Sequence, residues 1–185
     1  MAPWENPMIT PYDTLPAVPE FTVTSKDIAD GAPLPPAHYA AMSGAAGAED
    51  RSPQLAWSGF PAATRSFVVT MYDPDAPTPS GFWHWAVADL TADVTFLDAG
   101  AGAAEDSELP DNAFHVANDL RITAYVGAAP PPGTGRHRYY IAVNALDLPS
   151  VAALGVTAES TPAALSFSIL QHTIARAVIT PWAGE

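Results

Sequence analysis

Alternating hydrophobic and polar positions dominate the middle of the chain. Runs of this kind occupy 66–73 (SFVVTMYD), 82–90 (FWHWAVADL) and 137–146 (HRYYIAVNAL). They are rich in β-branched and aromatic residues, and a period of two in such residues predicts strands. Weaker runs at 21–25 (FTVTS) and 121–126 (RITAYV) predict two further strands.

The hydrophobic period changes near the C-terminus. Within 160–179, apolar residues are spaced by three, four and four positions, as on one helix face: Phe167, Leu170, Ile174 and Val178. Thr161 is a suitable N-cap, and Pro162 suits the first helical position. Several separate strands, one terminal helix and no alternation of strands with helices predict a mainly β fold with an antiparallel sheet.

Length and composition predict one folded domain. Of the 185 residues, 48% are hydrophobic and 15% are charged, which is typical of a globular protein. The proline-rich stretch 1–20 is interpreted as an arm that precedes a single domain over 21–185. The chain has no cysteine, so thiolate catalysis and cysteine-based zinc sites are excluded.

The formal charge of −13 opposes binding to nucleic acid or to an anionic membrane surface. The sequence has neither a signal-peptide pattern at its start nor a long uninterrupted apolar run, so no stable membrane insertion is expected. We therefore expect a cytoplasmic protein. An anionic ligand would have to be held by local groups, because the chain as a whole repels it.

Three titratable residues stand at strand ends. Asp73 closes the run 66–73, while His84 and His137 lie at the starts of the next two strong runs. If the first two runs form a hairpin and the third runs parallel to the second, all three side chains meet at one end of the sheet. The loops 73–82 and 127–136 would then wall a small cavity.

Alternation also predicts which side chains share a sheet face. It places His84 with Phe82, Ala86 and Ala88, and it places His137 with Tyr139. Two imidazole donors beside a carboxylate suit a small anionic group, with the carboxylate orienting one imidazole and favouring its cationic form. Binding would then strengthen at mildly acidic pH.

Other interpretations of these residues remain open. Each residue taken alone is compatible with ordinary packing or with a stiff turn. The set could also bind a metal ion or carry out acid–base hydrolysis of a small ester or phosphate, although the wide spacing of the histidines does not favour a metal site. A further alternative is a protein-interaction module that acts through its outer surface.

Three motifs in order give the chain a specific resemblance. D-P-D-A-P begins at Asp73, G-x-x-H-W contains His84, and G-x-H-R-Y contains His137. Together with SPQLAWSGFPAATRSFVVTMY over 52–72, they resemble the phosphatidylethanolamine-binding protein family, also called the Raf kinase inhibitor protein family, and its bacterial branch most closely. The resemblance extends from about residue 21 to the predicted terminal helix.

The resemblance implies a fold and a ligand site. The fold has a large central antiparallel sheet, a smaller sheet and peripheral helices, including one at the C-terminus. The site binds phosphate, phospholipid headgroups or small carboxylates and needs no cofactor or metal. The implied ligand-binding residues are Asp73, Asp75, His84, Pro131, His137 and Tyr139. The implied pocket rim comprises Trp85, Ala129, Pro130 and Arg136.

Some family properties are carried over only as weak expectations, and some not at all. A homodimer is expected from bacterial relatives, whereas the kinase partners of eukaryotic members are not transferred to this chain. The sequence departs from the usual family pattern at Leu120, Ala128 and Ala129. These departures put the shape of the pocket rim, and hence the size of the ligand, in question.

Overall fold

A computed structural model of the protein describes residues 10–104, 109–110 and 112–185. Residues 1–9 of the predicted arm lie outside this part. The strands are β1 (Thr22–Thr24), β2 (Leu55–Ser58), β3 (Ser66–Asp73), β4 (Phe82–Thr91), β5 (Phe96–Leu97), β6 (Phe114–His115), β7 (His137–Arg138), β8 (Tyr140–Leu146), β9 (Thr173–Ile179) and β10 (Trp182–Ala183). The helix α1 spans Pro162–Ser168, and short 3-10 turns cover Pro36–His38, Ala41–Ser43 and Val151–Leu154.

The predicted mainly β architecture is confirmed. Five strands form a central sheet in the order β6-β4-β3-β8-β9, and every neighbouring pair is antiparallel. A three-stranded sheet, β1-β2-β5, and a two-stranded sheet, β10-β7, complete the fold. Among the residues described, no helix has the length and apolar character that crossing a membrane requires.

The central sheet is covered on both faces by separate apolar clusters. One face packs against the three-stranded sheet through fully or almost fully buried residues that include Leu55, Trp57, Phe67, Val69, Met71 and Leu97. The other face packs against α1 and its preceding turn through Val68, Ala86, Ala88, Val151, Leu165 and Ile169. Each large apolar side chain buried in this way stabilises the fold by about 1.5–3 kcal/mol.

The prediction of a long C-terminal helix over 160–179 is correct only for the first turns and wrong for the rest. Thr161 does cap α1, because its side-chain oxygen accepts a hydrogen bond from the amide three residues on, at 3.1 Å. The helix then ends at Ser168. Phe167, placed by the helical period on the buried face, is 80% exposed.

The remainder of that segment is strand β9, which pairs along β8. Its alternate residues are buried, as a strand on a covered sheet requires: Thr173, Ala175, Ala177 and Ile179. The β-branched residues of this stretch suit a strand, and pairing with the open edge of β8 outweighs the helical spacing.

The strand predicted over 121–126 does not form. This stretch is an irregular segment that follows the edge of β4, where the Val126 amide donates to the His84 carbonyl oxygen at 3.0 Å. The predicted strand at 21–25 is confirmed as β1. The two-residue strands β5, β6 and β10 are too short to give a periodic signal in the sequence.

Candidate functional site

The strand directions bring the three candidate residues to one end of the central sheet. β3 is antiparallel to both β4 and β8, so β4 and β8 run in the same direction. Asp73 therefore leaves β3 where His84 enters β4 and where His137 precedes β8. This confirms the predicted convergence, and a direct contact between Asp73 and His137 completes it.

A β-bulge determines where His84 points. Trp83 pairs with Tyr72 and Trp85 pairs with Met71, so β4 carries one extra residue, His84, between two consecutive residues of β3. An extra residue of this kind turns its side chain out of the regular alternation.

The predicted sharing of a sheet face by His84 with Ala86 and Ala88 is therefore wrong, whereas the His84 ring does contact that of Phe82, with 4.8 Å between centroids. The two alanines lie in the cluster beneath α1. The His84 ring instead contacts the ring of Tyr139, with 5.2 Å between centroids, and Tyr139 belongs to the cluster on the opposite face. The bulge thus brings His84 to the side of the sheet on which Tyr139 is packed.

Asp73 and His137 form a buried, hydrogen-bonded pair. The Asp73 Oδ2 and His137 Nδ1 atoms are 2.8 Å apart, and the residues are only 2% and 1% exposed. The other carboxylate oxygen accepts the Asp75 amide hydrogen at 2.8 Å. Burial raises the pKa of Asp73, although the hydrogen bond from His137 opposes that effect. The carboxylate therefore fixes the orientation of the His137 ring.

The outer nitrogen of His137 contacts the loop that precedes β7. The Thr134 hydroxyl group donates to the Pro131 carbonyl oxygen at 2.7 Å. The same Oγ1 lies 2.8 Å from His137 Nε2. In this conformation Thr134 therefore occupies the outer nitrogen of the His137 ring.

Main-chain carbonyl groups hold the His84 ring. Its Nδ1 donates to the carbonyl oxygens of Val126 and Gly127 at 3.0 and 3.1 Å. The pKa of His84 is lowered to about 4, chiefly by burial and also by the nearby His137, while its carbonyl partners oppose the shift. Within the described part of the chain, His84 forms no ion pair with a carboxylate. Its neutral ring leaves Nε2 as a hydrogen-bond acceptor.

Asp75 lies beside the site, but its carboxylate is engaged by Arg138. Arg138 Nε and the Asp75 Oδ2 atom are 2.7 Å apart, and a second guanidinium nitrogen reaches Oδ1 at 2.8 Å. Burial opposes ionisation of Asp75, but the bonds from Arg138 outweigh it and hold the pKa below its usual value. Arg138 was not predicted, although its place next to His137 in the H-R-Y motif was a signal for it.

Trp85, predicted at the pocket rim, is a core residue instead. Its side chain is fully buried, and its Nε1 donates to His115 Nδ1 at 3.2 Å. Tyr139 is also fully buried, and within the described residues its hydroxyl group has no hydrogen-bond partner. Trp85 therefore supports the site from within the core, and the predicted ligand contact of Tyr139 stays a prediction.

The loop side of the site is exposed. Ala129 and Pro131 are exposed, Pro130 is half-buried, and the Arg136 guanidinium group stacks 4.0 Å above the centre of the Trp182 ring. Of the departures from the family pattern, Ala128 is buried and hydrogen-bonded to the chain near His38, so it cannot shape the rim. Leu120 is 41% exposed in a turn held by Asn118.

A separate groove of about 540 Å³ lies between the arm and the edge of the sheet at β9. Tyr12 and Leu15 of the arm line it, opposite Arg176 and Val178 of β9. Arg176 stacks 4.6 Å from the centre of the Tyr12 ring. None of the predicted site residues lines this groove.

Comparison with known proteins identifies close relatives. The family model described as phosphatidylethanolamine-binding protein matches residues 24–182. UPF0098 protein YbhB of Escherichia coli is 43% identical over 156 residues, which cover 84% of this chain and 95% of that protein. UPF0098 protein YbcL of the same organism is 40% identical over 161 residues, covering 87% and 86%.

Solved structures agree with this similarity. The crystal structure of Escherichia coli YbcL, described as a new member of the mammalian PEBP family, superimposes with a TM-score of 0.83 at 38% identity. The match covers 90% of this chain and 99% of that one. A phosphatidylethanolamine-binding protein homologue from Chlamydia trachomatis shares the fold, with a TM-score of 0.68 at 24% identity.

Proposed function

The chain belongs to the phosphatidylethanolamine-binding protein family, and on that premise we propose that it binds a ligand through a small anionic group, such as a phosphate, at the sheet end. The observation that supports this proposal is the buried pair of Asp73 and His137. A carboxylate that accepts from Nδ1 fixes the ring, and the protonated imidazolium form of that ring also has an Nε2 hydrogen that can be given to a ligand oxygen.

The surrounding chain favours binding at this point. The prolines of D-P-D-A-P and the bidentate contact of Asp75 with Arg138 stiffen the loop after β3, so little order has to be gained when a ligand arrives. Because the protein carries a formal charge of −13, an anion gains nothing from the overall field. We therefore expect weak to moderate affinity, set by a few hydrogen bonds.

The proposal is tested by calorimetric titration with inorganic phosphate and with phosphoethanolamine at about pH 6. We expect saturable binding by the wild-type protein and a loss of at least about ten-fold in affinity in His137→Ala, since a charge-assisted hydrogen bond is removed. Phosphorus NMR of the recovered phosphoethanolamine is expected to show it intact, because we propose binding without turnover.

His172→Ala is a matched control. His172 also pairs with an aspartate, with 2.9 Å between its Nδ1 and Asp147 Oδ1, but that pair is exposed and Asp147 directly follows the far end of β8. The control is expected to bind like the wild type. Equal losses in the two variants would mean that the phosphate is not held by His137, and absence of binding by the wild type would refute the proposed function.

A ligand that uses His137 Nε2 must displace the Thr134 hydroxyl group. We expect Thr134→Val to raise phosphate affinity by about two- to ten-fold, because it removes this internal competitor while keeping the side-chain shape. Thr134→Ser retains the hydroxyl group and is expected to bind like the wild type. If calorimetry showed that Thr134→Val binds phosphate more weakly than the wild type, Thr134 would be a ligand contact instead of a competitor.

A further inference from the structure

The groove between the arm and β9 is a second candidate binding site, at the outer edge of the central sheet. Its volume of about 540 Å³ lies within the range of cavities that hold small organic ligands. It is lined by charged side chains of both signs and by apolar side chains such as Leu15, Val18 and Val178. Because neither His84 nor His137 lines the groove, it is distinct from the site at the sheet end.

Arg176 gives this groove a cation that is not paired with a carboxylate. Its Nε donates to the Asn144 side-chain oxygen at 2.8 Å, and its guanidinium group stacks on the Tyr12 ring. Asp13 and Glu20 also line the groove, but among the described residues Arg176 forms no ion pair. Burial lowers the pKa of Arg176, and Tyr12 opposes that effect. The guanidinium group is therefore partly withdrawn from water without a compensating negative charge.

The edge of β9 has a free pair of main-chain groups beside this cation. In an antiparallel ladder, residues whose main-chain groups face the neighbouring strand alternate with residues whose groups face away. Arg176 faces away from β8, since its amide donates to the Pro19 carbonyl oxygen at 3.0 Å and its carbonyl oxygen accepts from the Phe21 amide at 3.3 Å. The pairing is regular from there onwards, so Val178 also faces away. Within the described part of the chain, the outward amide and carbonyl groups of Val178 form no hydrogen bond.

The segment that follows the arm leaves this gap in the edge open. After Phe21 the chain turns away into β1, and it returns to the edge at Thr180, whose carbonyl oxygen accepts from the Gly31 amide at 2.9 Å. Val178 lies between these two contacts, lines the groove and is 37% exposed. An unpaired amide and carbonyl at an exposed sheet edge are the groups by which an added strand binds.

We propose that the groove binds the C-terminal end of an extended peptide, whose carboxylate pairs with Arg176 and whose penultimate residue exchanges two main-chain hydrogen bonds with Val178. The terminal nitrogens of a guanidinium group match the two oxygens of a carboxylate. A peptide antiparallel to β9 runs from Val178 towards Arg176, so its carboxylate end lies next to the cation. Val178, Leu15 and Val18 provide apolar contacts for its side chains. This inference does not depend on the proposed function at the sheet end.

Three small probes test the two parts of the proposal in calorimetric titrations at about pH 7. Acetyl-valyl-leucine with a free carboxylate is expected to bind at least about ten-fold more tightly than its C-terminal amide, because the amide lacks the charge-assisted hydrogen bonds to Arg176. N-acetyl-leucine keeps the carboxylate but lacks the residue that pairs with Val178, so we expect it to bind at least about three-fold more weakly than acetyl-valyl-leucine. In ¹⁵N-labelled protein, the amide signal of Val178 should shift on titration with acetyl-valyl-leucine.

Two variants remove the cation or occupy it. Arg176→Gln is expected to bind the free acid and the amide with similar affinity. Because Arg176 also stacks on Tyr12, Val178→Asp provides a second variant that keeps the arginine and places a carboxylate beside it, and we expect it to bind the free acid at least about ten-fold more weakly than the wild type. Arg121→Gln is the matched control. It changes the net charge equally, but Arg121 is exposed, bonds to main-chain carbonyl groups and lies outside the groove, so binding should be unchanged.

Circular dichroism and thermal unfolding establish that each variant is folded before it is titrated. Equal affinity of the wild type for the free acid and the amide would overturn the inference. So would a preference for the free acid that persists in both Arg176→Gln and Val178→Asp, since the carboxylate would then bind elsewhere. Absence of saturable binding of acetyl-valyl-leucine by the wild type would also overturn it, whatever the phosphate titrations show.

Discussion

Replacing Asp73 with alanine is expected to destabilise the fold by about 2–6 kcal/mol, because it leaves two buried hydrogen-bond groups without their partner, each at a cost of about 1–3 kcal/mol. The His137 Nδ1 hydrogen and the Asp75 amide hydrogen both lose their acceptor. The carboxylate is 2% exposed, so water cannot readily replace it. Urea denaturation at about pH 7, with equal slopes for wild type and variant, measures the effect.

Asp73→Asn separates hydrogen bonding from charge. The asparagine oxygen can still accept from the Asp75 amide, and its NH₂ group can donate to His137 Nδ1 once the ring has lost that hydrogen. We expect a cost of about 1 kcal/mol, and phosphate affinity close to that of the wild type, because Nε2 then carries the hydrogen of the ring. Asp147→Ala, which breaks the exposed pair with His172, should cost less than about 1 kcal/mol.

Two outcomes of the unfolding measurements would contradict these expectations. If Asp73→Ala were no more costly than Asp147→Ala, the buried pair would not hold the sheet end together. If Asp73→Asn were as damaging as Asp73→Ala, the negative charge itself would be needed.

The convergence of the site could be predicted from the sequence because it depends only on strand direction. Asp73 ends one periodic run, while His84 and His137 begin two others. If the first two runs form a hairpin and the third is parallel to the second, these three residues lie at the same end of the sheet. The contact that forms, between Asp73 and His137, joins residues 64 positions apart. Hydrophobic periodicity does not indicate which of the two histidines forms the hydrogen bond with the Asp73 carboxylate.

The orientation of His84 could not be predicted, because a bulge is a property of two strands. Nothing in FWHWAVADL marks His84 as the extra residue, and strict alternation assigns it to the wrong face. The role of Thr134 was missed for a related reason. Its hydroxyl reaches His137 through a turn whose flanking glycines, Gly133 and Gly135, both have a positive φ.

The C-terminal error shows how two periods can coexist in one segment. Apolar residues spaced by three and four predict a helix, and the same TIARAVI stretch also alternates as a strand. A single helix of this length gains little from its own propensity. Pairing with β8 satisfies the backbone along the whole of β9, and this long-range contact is absent from any local pattern.

Acid is expected to weaken the fold through His84. The pKa of His84 in the folded protein is lowered to about 4 by burial, whereas in the unfolded chain it is about 6.5. Between these two pH values the unfolded chain therefore binds a proton at His84 that the folded protein does not bind. Stability from this group is complete above about pH 6.5 and is lost as the pH falls towards 4. At about pH 5 the loss amounts to about 2 kcal/mol.

His84→Phe isolates this contribution from other titrating groups. The variant lacks the imidazole but keeps His137 and Asp50, the charged or titratable groups that act on His84. Its free energy of unfolding in urea should therefore fall less between about pH 7 and pH 5, by about 2 kcal/mol, than that of the wild type. Parallel pH profiles for the two proteins would mean that His84 is protonated in the folded state.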